Sequence, residues 1–340
     1  MPFHHFLSKT YMRSWGYSKK AVWTFNKARN IAEPRKLIYL IGQDNYHRIY
    51  PGSLFMPTEI SDRMFSCVKN YSVEYNNEIL ESSSDLNICF PSFRDWVIRS
   101  SDNQTVDISK KIAIYKEIVS HFDDSIENDW NYKYENWWPQ KLSRILTNLN
   151  SHKTNKKVPV ENSDIDFLFR CFVMYDWRCQ SESSSTSLAF DFVSTVIEPI
   201  NQLEIPESVR YNEYDVTFLD EIKHAYYLQQ YYAFLRETGQ MFSQVAFYKQ
   251  NLILYFHISE TEPFITCDSP VFHIQHNDHI EMIFVVHPKL LISVVRKEPD
   301  NPNLYYWDYL NESAIMAYNH EIFKHGKVIL GCNKDFSKYI

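Results

Sequence analysis

Four short apolar runs lie in the last third of the chain, and they constrain its fold more than any other feature. They cover residues 252–258, 263–272, 281–286 and 290–296, with polar residues between them. Short apolar runs with a period near two, separated by polar breaks, are typical of antiparallel strands joined by turns. The sequence therefore predicts a C-terminal antiparallel meander.

The chain before this meander has mostly helical periodicity. Two exceptions are residues 21–25, Ala-Val-Trp-Thr-Phe, which predict an N-terminal strand, and residues 37–41, which predict a second one. Asp107 is a suitable N-cap for the first helix of the middle segment. The predicted helices cover residues 108–122, 134–149, 163–178, 188–196 and 214–237, and a further helix at 311–325 precedes a last strand at 327–330.

The order strand, helices, strands is that of an α+β protein. We expect the helical middle to pack on a mainly antiparallel sheet, built from the C-terminal meander and the N-terminal strand. Residues 1–340 should then form a single interdependent α+β domain. The best candidate for an internal boundary is the lysine-containing polar segment 151–159.

Charge, cysteine spacing and hydropathy narrow the class of protein. The net charge of -7 argues against a surface coated with basic residues, although it allows a local basic groove. None of the six cysteines forms a CxxC pair, which indicates reduced thiols. The N-terminus lacks the basic start and apolar core of a signal peptide, and no stretch reaches the ~18 apolar residues of a membrane span. We therefore expect a cytoplasmic protein without a membrane segment.

Residues 263–271, Pro-Phe-Ile-Thr-Cys-Asp-Ser-Pro-Val, are the strongest candidate for a functional segment. A short apolar strand runs here directly into a carboxylate, a hydroxyl and a proline. Pro270 cannot continue a sheet ladder and disfavours helix at Ser269, so Asp268 should lie where the strand ends. No metal signature, phosphate loop or nucleophile elbow surrounds it.

Motifs at the two ends of the chain, read together, are similar to those of one sequence family. The first motif is His5-Phe6-Leu7, followed by residues 11–15, Tyr-Met-Arg-Ser-Trp, and 22–25, Val-Trp-Thr-Phe. The second is Phe-Ile-Thr-Cys-Asp-Ser-Pro-Val at 264–271, where the family pattern has serine for Cys267 and asparagine for Ser269. The chain thereby resembles the largely bacterial domain of unknown function 4238. Weaker similarities lie at Glu135, Arg178 and Asn319.

The resemblance implies positions for a site but no reaction, because the family has no settled activity. Gathered in one pocket, the matching residues include groups that exchange protons near neutral pH and arginines that grip phosphate oxygens. We therefore expect a pocket that binds a nucleotide or a nucleic acid, with hydrolysis as its candidate reaction, which would suit a phage-defence protein or a toxin. The candidate catalytic residues are His5, Glu135 and Asp268, and the candidate ligand-binding residues are Arg13, Arg178, Ser269 and Asn319.

Two alternatives stay open, and they concern different classes of protein. In the first, the protein is a non-catalytic binding or scaffold module, and the same residues form a structural polar network. In the second, it is a zinc-dependent hydrolase. Whether the protein is an enzyme, and which protein partner it has, does not follow from the sequence.

Histidines are the residues on which a metal site would depend. His273, His276 and His279 follow one another at three-residue intervals, but no cysteine or second cluster completes a four-ligand structural set, so we assign no metal ligands. A catalytic divalent metal is compatible with the sequence without being required by it. Its candidate ligands are His4, His5 or His257 together with Asp268.

Overall fold

The computed structural model describes residues 3–53, 56–151, 157–158, 160–179, 187–189, 191, 195, 218–276, 280–296 and 305–340. The chain divides into two compact units. The first comprises Asn45–Asp129 and Phe190–Arg236, and the second comprises Phe3–Asp44, Trp130–Ala189 and Glu237–Ile340.

Helices and antiparallel sheets together make the protein α+β, as predicted. The α-helices are α1 Lys9–Met12, α2 Thr58–Met64, α3 Ser83–Cys89, α4 Ile108–Trp130, α5 Trp138–Ser151, α6 Asn162–Arg178, α7 Phe218–Leu235, α8 Gly239–Asn251 and α9 Glu312–His325. The strands are β1 Phe3–His5, β2 Gly16–Ser18, β3 Ala21–Asn26, β4 Ile31–Lys36, β5 Gly42–Asp44, β6 Ser72–Tyr75, β7 Glu78–Ile79, β8 Val97–Arg99, β9 Lys157–Val158, β10 Leu252–Ile258, β11 Thr266–Cys267, β12 Val271–Gln275, β13 Ile280–His287, β14 Leu290–Arg296, β15 Tyr305–Tyr309 and β16 Val328–Gly331.

The first unit combines helices with a small sheet of three antiparallel strands in the order β7-β6-β8. Its core is aromatic: the ring centroid of Phe90 lies 5.2 Å from that of Phe122 and 6.1 Å from that of Trp96. The N–H of Lys110 donates to the Asp107 carboxylate at 2.8 Å at the start of α4. The predicted N-cap is therefore confirmed.

Six strands of the second unit form one sheet in the order β12-β13-β14-β10-β15-β9. The pairs β12–β13, β13–β14 and β14–β10 are antiparallel, which confirms the predicted meander. β15 pairs parallel to β10, and β9 pairs antiparallel to β15. The first five residues of β14 are all buried, so both faces of the sheet are covered there.

A five-stranded sheet of the second unit contains both ends of the chain. Its order is β11-β16-β3-β2, with β4 paired to β3. The predicted N-terminal strand, β3, pairs antiparallel with the last strand, β16, so that Phe25 opposes Ile329. β3 thus joins C-terminal strands, as expected, but it lies in a different sheet from the meander.

The apolar run 263–272 is not one strand but two, because the chain passes from one sheet to the other inside it. β11 belongs to the five-stranded sheet and β12 to the six-stranded sheet. The Asp268 N–H still donates to the Val328 carbonyl of β16 at 3.0 Å, and the Pro270 carbonyl already accepts from the Val285 N–H of β13 at 3.0 Å. Ser269 is thus the single residue between the two ladders.

Two predicted elements differ from the structure. Residues 37–41 are not a strand: Leu37–Tyr39 form a 3-10 turn in which Ile38 and Tyr39 are exposed, so their apolar character does not report burial in a sheet. Helix α8 was not predicted, because Met241 and Val245 are its only residues with buried side chains. Most of the predicted helix 188–196 and of the boundary segment 151–159 lies outside the described residues.

The single interdependent domain stays a prediction. Limited proteolysis would test it, because independent halves would survive as separate stable fragments. None of the helices within the described residues has the length and apolar content needed to cross a membrane.

Candidate functional site

An open cavity of about 270 Å³ lies beside Asp268 on one face of the five-stranded sheet. Strand pairing explains which side chains reach it. Thr24 of β3 opposes Glu33 of β4, and Arg35 lies two residues beyond Glu33, so alternation places the three on the same face. The cavity is lined by Phe6, Thr24, Asn26, Glu33, Arg35, Tyr39, Leu40, Ile41, Gly42, Asp268 and Val328.

The last strand of the sheet holds Asp268 at this cavity. The Asp268 Oδ1 accepts from the backbone N–H groups of Lys327 at 2.9 Å and of Val328 at 3.3 Å. Burial raises the pKa of the Asp268 carboxyl, while those two N–H groups act in the opposite direction. Asp268 is therefore a half-buried carboxyl at the end of β11, where the sequence pattern predicted it.

Replacing Asp268 with asparagine should raise the free energy of unfolding at neutral pH. A pKa above the ordinary value of 3.8 means that the folded protein disfavours the ionised carboxylate, and asparagine keeps the shape without the charge. The gain should shrink as the pH falls through the raised pKa toward 3.8, because the wild-type carboxyl then becomes neutral in both states. Urea denaturation of both proteins across this pH range measures it. A loss of about 1–3 kcal/mol at neutral pH would instead make the carboxylate a turn cap.

Arg35 brings positive charge to the cavity, although no sequence motif indicated it. Its side chain is 48% exposed, and its Nη1 lies 3.5 Å from the Glu33 Oε1. Residues 1–44 carry eight basic and two acidic side chains, a net +6, while the whole chain carries -7 and the remainder therefore -13. Local charge is the signal that could have found Arg35, and the net charge of the chain conceals it.

Three of the predicted site residues come together in the interior, and none of them lines the cavity. The Arg178 guanidinium is 1% exposed, with Nη1 at 3.6 Å from the Glu135 Oε1 and Nη2 donating to the His5 carbonyl. Its central carbon lies 4.9 Å from the ring centroid of Trp130. The His5 ring Nε2 is 3.1 Å from the Leu37 carbonyl oxygen. This His5–Glu135–Arg178 cluster has the enclosure of a structural ion pair.

The other predicted ligand-binding residues lie at three separate places outside the cavity. Asn319 is fully buried in α9, where its Oδ1 accepts from the Ile265 N–H at 3.0 Å and its Nδ2 donates to the Pro263 carbonyl at 3.1 Å. Ser269 is buried next to Asp268, and Arg13 is exposed after α1. Asn319 thus fixes the backbone that leads into β11.

The part of the chain that the structure describes contains no group of three or more His, Cys, Asp or Glu side chains placed to hold a metal ion. His273 is exposed, and the His276 Nε2 lies 3.0 Å from the Glu281 Oε2. His279 lies outside the described residues. The zinc-dependent alternative therefore finds no support in the described residues.

Comparison with known proteins gives one match. A family model described as protein of unknown function (DUF4238) matches residues 4–327 of the 340. The matched range contains both motif segments, the cavity-lining residues and the His5–Glu135–Arg178 cluster. No curated protein and no solved structure matches the chain.

Proposed function

We propose, for a chain that belongs to the DUF4238 family of proteins of unknown function, that the cavity beside Asp268 binds a phosphate-bearing ligand and that Asp268 transfers a proton there. One observation carries the proposal: Asp268, whose pKa is raised, lines the same open cavity as the half-exposed guanidinium of Arg35. Groups with a perturbed pKa in an open cavity are candidates for function.

Charge favours a phosphate-bearing ligand, either a nucleotide or a nucleic-acid end. A guanidinium holds two phosphate oxygens with its planar fork, and the net +6 of residues 1–44 attracts polyanions even though the whole chain is acidic. The volume of about 270 Å³ is close to the lower end, ~300 Å³, of small-molecule sites, which suits one nucleotide better than a duplex. Tyr39, which is 69% exposed at the rim, offers a ring for base stacking.

Asp268 supports hydrolysis as the reaction. In the proposed step, the oxygen of a water molecule attacks phosphorus and its proton passes to the Asp268 carboxylate. The bond from phosphorus to the leaving oxygen breaks, and the leaving oxygen keeps the electron pair. A carboxylate with a raised pKa is a stronger base for this transfer.

Two variants separate binding from chemistry. Arg35→Glu should weaken binding of a fluorescent nucleotide or a labelled single-stranded oligonucleotide at least about tenfold, because it reverses the charge in the cavity. Asp268→Asn should bind nearly as well as the wild type but lose about 10²–10⁴-fold in phosphate or oligonucleotide release, because an amide does not accept the proton. Fluorescence anisotropy and product release measure the two effects.

Arg94→Glu and Asp95→Asn are matched controls, since both residues are exposed in the first unit. They should leave binding and hydrolysis unchanged. Undiminished binding in Arg35→Glu would refute the ligand assignment, and undiminished hydrolysis in Asp268→Asn would refute the catalytic one. A role in phage defence or as a toxin predicts that expression of the wild type, but not of Asp268→Asn, slows bacterial growth.

A non-catalytic binding or scaffold module is the second candidate, and the burial of Arg178 favours it. In this case the His5–Glu135–Arg178 cluster is a structural network, and a fully enclosed guanidinium is not available to a ligand. The candidate predicts that no phosphate-bearing ligand binds. It also predicts that every effect of Asp268→Asn follows from the fraction of protein that is folded.

A further inference from the structure

A row of polar side chains crosses four neighbouring strands of the six-stranded sheet. Asp308 of β15, His257 of β10, Ser293 of β14 and Glu281 of β13 form it. The His257 Nδ1 lies 2.8 Å from the Asp308 Oδ1, and the His257 Nε2 lies 2.8 Å from the Ser293 Oγ. The Ser293 hydroxyl in turn donates to the Glu281 Oε1. The four side chains make one continuous line of hydrogen bonds.

Three more titratable groups face this row. The Tyr318 hydroxyl of α9 donates to the Glu281 Oε1 at 3.1 Å, and the His276 Nε2 lies 3.0 Å from the Glu281 Oε2. The rings of Tyr255 and Tyr318 lie 4.8 and 5.4 Å from the ring of His257, measured between centroids. The middle of the row is buried, whereas the side chains at its two ends, Asp308 and His276, are 39% and 40% exposed.

Serine, histidine and aspartate in this order resemble a catalytic triad, but two facts argue against a nucleophilic Ser293. The residue is 1% exposed, so a substrate does not reach its hydroxyl. The hydroxyl hydrogen points to Glu281, whereas a nucleophilic serine gives its proton to the histidine Nε2. A network that holds protons explains the row better.

The donors and acceptors fix how many protons the row must hold. An ionised Glu281 only accepts, so Ser293 donates to it and must itself accept from an N–H at the His257 Nε2. Asp308 also only accepts, so the His257 Nδ1 carries a hydrogen too. His257 then holds both ring protons. The other arrangement with the same number of protons has a neutral His257 and a protonated Glu281.

We propose that His257, Ser293 and Glu281 form a buried proton-binding site, in which the Ser293 hydroxyl shares one proton between the imidazole and the carboxyl. Without this proton, one of the two hydrogen bonds of Ser293 has no hydrogen, and a buried polar contact is left unsatisfied. In an unfolded chain above about pH 7, ordinary histidine is neutral and glutamate is ionised. Folding therefore takes up a proton, and stability decreases as the pH rises.

Glu281→Gln is the variant that tests the shared proton. The glutamine amide keeps the shape of the carboxyl and supplies permanent hydrogens to Ser293, which then donates to the His257 Nε2 without any additional proton. For the wild type, the folding equilibrium constant should fall with pH more steeply than for Glu281→Gln, by up to about tenfold per pH unit. Urea denaturation at several values between about pH 7 and about pH 9 measures both slopes.

Two serine variants complete the test. Ser293→Ala should have the shallow slope of Glu281→Gln. Ser259→Ala should keep the wild-type slope, because Ser259 is also buried but donates to the Glu262 backbone carbonyl instead of a titratable group. If Ser293→Ala does not fold, the wild type, Glu281→Gln and Ser259→Ala decide alone. Equal slopes in all folded proteins, or covalent labelling of Ser293 by a fluorophosphonate, would overturn the proposal.

Discussion

Replacing Arg178 with methionine should lower the free energy of unfolding by about 3–5 kcal/mol. Arg178 is 1% exposed, and its removal leaves the Glu135 carboxylate and the His5 carbonyl without their cationic partner in the interior. Methionine fills much of the same volume, so the loss should come from the unpaired charge rather than from an empty cavity. Urea denaturation of the wild type and the variant measures the difference.

Arg63→Met is the matched control for this prediction. Arg63 pairs with Asp129 at 3.0 Å in the first unit, but the two side chains are 31% and 34% exposed, so the loss should stay within about 1 kcal/mol. The double variant Arg178→Met/Glu135→Leu should recover much of the stability, because it removes both charges. A loss below about 1 kcal/mol for Arg178→Met would contradict the structural role of the His5–Glu135–Arg178 cluster.

Replacing Asn319 with alanine should lower the free energy of unfolding by roughly 2–5 kcal/mol, since two buried backbone groups each lose a partner at about 1–3 kcal/mol. These groups are the Ile265 N–H and the Pro263 carbonyl. Both precede β11, so the variant should also weaken ligand binding at Asp268. Chemical denaturation and the anisotropy assay measure the two effects.

Asn311→Ala provides the control on the same helix. Asn311 caps α9 by accepting from the Ala314 N–H at 2.9 Å at an exposed position, so its loss should be about 1 kcal/mol, without any effect on ligand binding. Equal losses in the two variants would show that the Asn319 contacts contribute no more than an ordinary helix cap.

Local patterns were sufficient for much of the fold. Strands β10 and β14 have the predicted bounds, because their residues are buried on both faces and the polar breaks beside them are real turns. Helix α9 follows its predicted cap for the same reason: periodicity and capping are local properties. The division of the strands between two sheets is not local. It depends on the pairing of Val328–Gly331 with a strand about 300 residues earlier in the chain, which no short pattern encodes.

The candidate site was predicted in part. Asp268 could be located because a proline next to a strand end restricts the backbone. Arg35 and Glu33 could not, because β4 is an exposed edge strand whose apolar residues do not alternate clearly. His257, Ser293 and Asp308 are separated by 36 and 15 residues in the sequence, and only the register of three adjacent strands brings them into line. Such a row has no sequence signature.

The single-residue passage at Ser269 restricts how the length of this chain can change during evolution. One residue inserted between Cys267 and Val271 would either turn every side chain of β12 to the opposite face or pull Asp268 away from Lys327 and Val328. A deletion would leave too little chain to satisfy both ladders. Homologous sequences should therefore accumulate insertions and deletions in surface connections, while the spacing from β11 to β12 stays constant.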